Sequence, residues 1–150
     1  SIKVRPDCVF HTDASDVVVI KDPGSLVNDN DSIDYFTCKD SIKLESFPYV
    51  RMHEKFDWED NLLFLINQQE WDLINMGVIG GKFDKMLKFY REFVRIRNEL
   101  SNPHFNADMW LCQYLLRSQL QPCELMIGDP VCSEFKKYQD ERKDVFFIHK

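Results

Sequence analysis

The stretch Glu70-Trp-Asp-Leu-Ile-Asn-Met-Gly-Val-Ile-Gly-Gly81 reads as a strand that ends in glycines, and it runs directly into Lys82-Phe-Asp-Lys-Met-Leu-Lys-Phe-Tyr-Arg-Glu-Phe-Val-Arg-Ile-Arg-Asn-Glu-Leu100. In the second segment Phe83, Met86, Leu87, Tyr90, Val94 and Ile96 or Arg97 follow the three-and-four spacing of an amphipathic helix, which Pro103 stops. A strand followed by a helix of this length is the unit from which α/β sheets are built.

Downstream, Asn106 caps a second helix that Met109, Trp110, Cys112, Gln113, Leu115 and Leu116 carry to about Leu120, before Pro122. Residues 124–127 and 145–148 then read as strands. Upstream, Cys8-Val-Phe-His-Thr12 reads as a buried strand, and after the polar group Asp13-Ala-Ser-Asp16 the run Val17-Val-Val-Ile20 reads as another strand or its continuation. Asp22-Pro23-Gly24 reads as a turn, Asn28-Asp29-Asn30-Asp31 as a solvated polar loop, and 34–38 as a short strand. The aromatic-rich stretch 46–58, with Phe47, Tyr49, Phe56 and Trp58, reads as a packed connection, and 62–66 fits strand or helix. Strands separated by helices predict an α/β fold with a mainly parallel, buried sheet flanked by helices.

The chain of 150 residues is sized for a single domain spanning 1–150, and 44% hydrophobic residues with twelve Phe supply enough apolar surface to fold. A net charge of −6 argues against nucleic acid as a partner, because phosphate contacts need a basic face. The longest apolar runs, four residues at 17–20 and five at 62–66, fall far below the ~20 needed to span a bilayer, so no membrane segment is expected. The sequence opens on Ser1 and moves at once into a strand-like segment, which suggests processing or excision from something longer. The five cysteines, at 8, 38, 112, 123 and 132, form no C-x-x-C pair and read as small buried hydrophobes, with at least one thiol left unpaired. Asn30-Asp31-Ser32 fits the N-glycosylation pattern, a weak hint of a secretory compartment.

In open α/β sheets ligands sit at the carboxyl ends of strands, and Asp13 and Asp16 lie just past the first one. Two carboxylates there suit a hard divalent cation, although the same residues could simply turn the chain. His149, at the end of the last strand, offers an imidazole nitrogen as a third ligand. Asn75 and Gly77 place an amide and a small residue beside a strand end, which allows either close approach of a ligand or tight strand-to-helix packing. Asp108 falls in the first turn of the second helix, where a carboxylate is stabilised by the helix dipole. His11, His53 and His104 have no G-x-S-x-G or comparable elbow to partner, which disfavours hydrolase triads. The D-x-x-D spacing differs from the D-x-D-x-T/V of haloacid-dehalogenase phosphotransferases.

Taken in order, these pieces resemble the glycosyltransferases of the type-A (GT-A) fold, particularly family 8 and its nucleotide-diphospho-sugar relatives. The stretch Val9-Phe-His-Thr-Asp-Ala-Ser-Asp-Val-Val-Val-Ile-Lys-Asp-Pro23 is similar to that family's strand, acidic motif, strand and D-P turn. Asn75-Met-Gly-Val-Ile-Gly-Gly81 is similar to its N-x-G-V segment, Asn106-Ala-Asp108 to the opening of its D-Q-type helix, and Phe146-Phe-Ile-His149-Lys150 to its closing strand. The acidic motif here is one residue longer than D-x-D, and the family's first strands, which bind the base, would precede Ser1.

The resemblance implies a metal-dependent transferase acting on a nucleoside-diphosphate sugar, with a glycan, protein or lipid as acceptor. It implies that Asp13, Asp16 and His149 hold Mn²⁺ (or Mg²⁺) and that Asp13 can also meet the ribose. Asn75 and Gly77 would line the donor sugar, and Asp108 would orient a hydroxyl or act as base. It further implies the secretory pathway (Golgi lumen) for a eukaryotic chain and the cytoplasm for a bacterial one. The alternatives are a non-catalytic module binding a glycan or partner through 47–58, and another metal-using enzyme such as a phosphoryl-transfer enzyme.

Overall fold

Strand β4 (Asp72–Lys82) is the spine of the molecule, and the computed structural model, which describes residues 5–46, 70–99, 108–137 and 139–150, places every other element relative to it. Ahead of it come β1 (Cys8–Thr12), β2 (Val17–Val19), α1 (Pro23–Asp29) and β3 (Tyr35–Lys43). After it come α2 (Phe83–Glu99), α3 (Asp108–Tyr114), β5 (Leu125–Ile127) and β6 (Phe147–His149). A four-stranded sheet has the order β1-β4-β3-β5, and β2 pairs with β6 in a separate two-stranded ribbon. The α/β class is as expected. The expected connection over 46–58, apart from Ser46, together with the segment 62–66 and the cap at Asn106, lies outside the described residues.

The sheet is mixed rather than mainly parallel. Strand β4 runs antiparallel to both β1 and β3, and only β3 and β5 are parallel. The parallel expectation rests on single-helix crossovers. Here two helices, α2 and α3, lie between β4 and β5, and β5 re-enters beside β3 running opposite to β4.

Other boundaries moved for local reasons. Asp22-Pro23-Gly24 is not a free turn but the start of α1. The Asp22 carboxylate accepts the Gly24 N–H at 2.9 Å, and Pro23 takes the first helical position, where its missing N–H costs nothing. Part of the expected polar loop at 28–31 is therefore the last turn of α1, with Asn30 as its C-cap. Strand β3 continues past Cys38 to Lys43. The helix that starts at Asp108 widens into a π turn over Leu115–Gln119, and among the described residues no helix is long and apolar enough to cross a membrane.

The sheet carries apolar residues on both faces. Tyr35, Ile79, Met86, Phe89, Ile96, Trp110 and Leu111 pack together with α2 and α3, whereas Leu26, Val27, Phe36, Val78, Val131 and Phe147 form a second cluster with α1. Burial on both faces explains why β4 reads as a nearly continuous apolar run. The buried stripe of α2 is Met86, Phe89 and Ile96, with Phe93 half-buried, while Val94 is 55% exposed. Gly80 is required by packing: a Cβ there would come within 2.1 Å of the Phe10 ring, which lies against Phe36 and Phe147.

Candidate functional site

Two strand pairings converge on one point. The β1–β4 ladder ends with Thr12 opposite Val78, and the next residue, Asp13, donates its N–H to the Gly77 carbonyl at 2.9 Å. The β2–β6 ribbon starts with Val17 opposite His149, and the Lys150 N–H donates to the Asp16 carbonyl at 2.9 Å. The short segment 13–16 is thus pinned at one end to the central sheet and at the other to the last strand. Its carboxylates consequently meet the imidazole that the sequence places far away.

The Oδ2 atoms of Asp16 and Asp13 lie 3.7 and 4.0 Å from Nε2 of His149. Ligand atoms of the three residues lie within 4.8 Å of one another. Ligands about 2.0–2.1 Å from a Mg²⁺-sized cation stand up to roughly 4 Å apart, a span that the two His149-to-carboxylate separations match. His149 is 1% exposed, whereas the Asp16 and Asp13 side chains keep 36% and 52% of their surface, an arrangement open on its acidic side. Asp16 Oδ1 and both ring nitrogens of His149 are buried and have no hydrogen-bond partner among the described residues. Buried polar atoms are almost always satisfied, so a cluster of orphans that are all metal donors makes this a candidate cation site. The donor set fits the expected divalent metal: carboxylate oxygens suit Mn²⁺ and Mg²⁺, and imidazole adds preference for the transition metal.

Burial pushes the His149 imidazole below its ordinary value, against the opposing pull of Asp16, Asp13 and Asp40. The ring is held on its other sides as well. Its backbone N–H donates to Ser133 Oγ at 2.9 Å, the Phe135 ring lies 4.3 Å away centroid to centroid, and Gly77 leaves room for the ring itself.

The residues around Gly77 owe their placement to an irregularity in β4. The β3–β4 register jumps from Thr37 opposite Ile79 to Cys38 opposite Asn75, so Met76, Gly77 and Val78 bulge from the pairing with β3. Bulges of this kind re-aim side chains beside functional sites. Asn75 accepts the Gly77 N–H at 2.8 Å and donates Nδ2 to Asp40 Oδ2 at 3.1 Å, which fixes its amide orientation. Asp13, Asp40, Asn75, Gly77, Asp108 and His149 share a cavity of about 260 Å³, together with His11, Met76, Met109 and Phe135. Asp108 opens α3 at the cavity's edge, and its Oδ1 accepts the Met109 N–H at 2.8 Å. All five expected site positions other than Asp16 line this cavity, and Asp16 flanks it through His149.

Sequence reasoning did not find Asp40, Ser133, Phe135 or the disulfide joining Cys38 to Cys132, whose Cα atoms are 5.2 Å apart. The reading of all cysteines as buried hydrophobes is corrected accordingly: it describes Cys112, which is buried and whose thiol is pushed up to about 12, but not the bonded pair. A larger cavity of about 650 Å³ lies at the other end of β1, but its Arg5 and Lys82 already pair with Asp84 and Asp31. No protein-family model, curated protein or solved structure matches this chain.

Proposed function

We propose that this chain is a metal-dependent glycosyltransferase domain that transfers a sugar from a nucleoside-diphosphate donor to a hydroxyl-bearing acceptor. The observation that supports this reading most is the convergence of Asp13, Asp16 and His149, each with buried or cavity-facing donor atoms, from two of the four segments that carry the family resemblance. A divalent cation held there supplies Lewis-acid neutralisation of the departing diphosphate. The remaining roles belong to the chain's own side chains. Asn75, oriented by Gly77 and Asp40, lines the space beside the ion, where its amide and the Asp40 carboxylate can hydrogen-bond sugar hydroxyls. Asp108, which lines the same cavity, would orient an acceptor hydroxyl or take its proton. The Cys38–Cys132 bond supports an oxidising compartment, in keeping with the secretory reading.

The test is thermal stability with Mn²⁺ and each common nucleoside diphosphate, on wild type, Asp16→Ala and His149→Ala. Ligand at 100 times its Kd stabilises the native state by about 2.7 kcal/mol. A shift that needs metal and nucleotide together, and that both variants lose, is the expected result. Equal shifts in wild type and Asp16→Ala would overturn the reading.

A further inference from the structure

The carboxylate centre uses one side of a shared residue. On another side, the sulfurs of Cys38 and Cys132 and a ring nitrogen of His149 also lie within 4.8 Å of one another. Cys38 and Cys132 are 0% and 1% exposed, and neither nitrogen of His149 has a hydrogen-bond partner among the described residues. One buried imidazole is therefore shared by two donor sets of opposite character, two carboxylates and two sulfurs.

As a disulfide the sulfurs are weak ligands, and the thiolate is the form that binds metal. Exchange with a dithiol changes this: the reductant's two S–H groups become its own disulfide, while Cys38 and Cys132 take up two electrons and two protons as thiols. Binding of a divalent cation then releases both protons. The sulfurs stay adjacent without their bond because the backbone around them is independently tied. Gly128 N–H donates to the Thr37 carbonyl at 2.9 Å, Phe147 N–H to Val131 at 3.0 Å, and Ser133 N–H to Phe147 at 3.0 Å. Strands β3 and β5 also pair directly. Two thiolates and an imidazole are the ligands that Zn²⁺ favours and that Mn²⁺ and Mg²⁺ do not.

We propose that the reduced chain holds a thiophilic divalent cation on Cys38, Cys132 and His149, and that the disulfide reserves His149 for the carboxylate centre. The thiol site is argued without the preceding functional reading, and only the reservation of His149 rests on it.

Co²⁺ is the probe, added to the same wild-type protein either oxidised or after reduction with a dithiol that is then removed without air. The reduced chain should show thiolate-to-cobalt charge transfer and tetrahedral visible bands, both absent from the oxidised chain and both bleached by Zn²⁺. Cys8, Cys112 and Cys123 are free thiols in either state, so the difference isolates the bonded pair. Cys132→Ser should abolish the reduced-state bands, and Zn²⁺ should raise the melting temperature of the reduced wild type further than that of the reduced Cys132→Ser chain. Identical cobalt spectra in the two states, or none in either, would overturn the thiol site. In a separate arm, Mn²⁺ bound by the oxidised chain should be absent from the Zn²⁺-loaded reduced chain. Mn²⁺ binding that persists would overturn the shared imidazole. Cobalt bands on reduction without Mn²⁺ binding on oxidation would support the thiol site while removing the carboxylate reading.

Discussion

Gly77 gives its side-chain space to His149: a Cβ on residue 77 would stand 2.1 Å from Cε1 of the imidazole. Gly77→Ala must therefore push the ring or the strand. Overfilling a packed site of this kind destabilises by about 1–3 kcal/mol. The variant is expected to unfold at lower urea concentration and to weaken Mn²⁺ binding, since the added Cβ meets the ring atoms that face it. Wild-type midpoint and wild-type Mn²⁺ affinity together would contradict this.

Gln113 acts as a surrogate strand. Its Oε1 accepts the Ile74 N–H at 3.3 Å and its Nε2 donates to the Ile74 carbonyl at 2.7 Å, in surroundings where Gln113 is fully buried. Gln113→Leu keeps the volume and strands both backbone groups, each at a cost of about 1–3 kcal/mol. Equilibrium urea unfolding should show that loss, and amide exchange at Ile74 should accelerate.

The Cys38–Cys132 bond closes a sequence separation of 94 residues. Replacing both cysteines by alanine is expected to lower stability by about 2–5 kcal/mol. An unchanged denaturation midpoint would show that the β3–β5 pairing alone holds that loop.

Arg142 clamps the segment between β5 and β6 by reaching two carboxylates, Asp144 and Asp129, the latter at 2.7 Å. Its hydrogen bonds lower the Asp144 carboxyl from 3.8 to about 2. A depressed folded value means that the contribution is complete above about pH 4 and is lost as the pH falls towards 2. In an NMR titration Arg142→Ala should return Asp144 to the ordinary carboxylate range. An Asp144 that still titrates near 2 in the variant would assign the shift to another group.

Much of this architecture could be read from residue patterns, and the exceptions have physical causes. The glycine-ended strand running into α2 was legible because a nearly continuous apolar run gives way there to three-and-four spacing, and Asp13, Asp16 and His149 were legible as strand-end groups. The direction of β4 against β1 and β3 was not, since apolar composition does not distinguish parallel from antiparallel neighbours. The buried stripe of α2 was shifted because Phe89 and Phe93 compete with Tyr90 and Val94 for the same spacing, and only packing against β4 and α3 decides between them. Asp40 was missed because a carboxylate after an apolar run reads as a strand end, whereas β3 continues and Asn75 supplies the partner that makes its burial tolerable. The cysteine pairing has no local signature, because its partners meet through tertiary structure alone.

The pairing of Val17 with His149, and of the Lys150 N–H with the Asp16 carbonyl, carries one more consequence. The candidate cation site does not pre-exist in any local piece of chain; it comes into being when the last strand zips onto the second. Cation occupancy of this candidate site would therefore be a readout of fold completion. A chain that has formed its central sheet but not docked β6 would present both carboxylates to solvent and hold no ion, so metal titration during refolding would time the arrival of that strand.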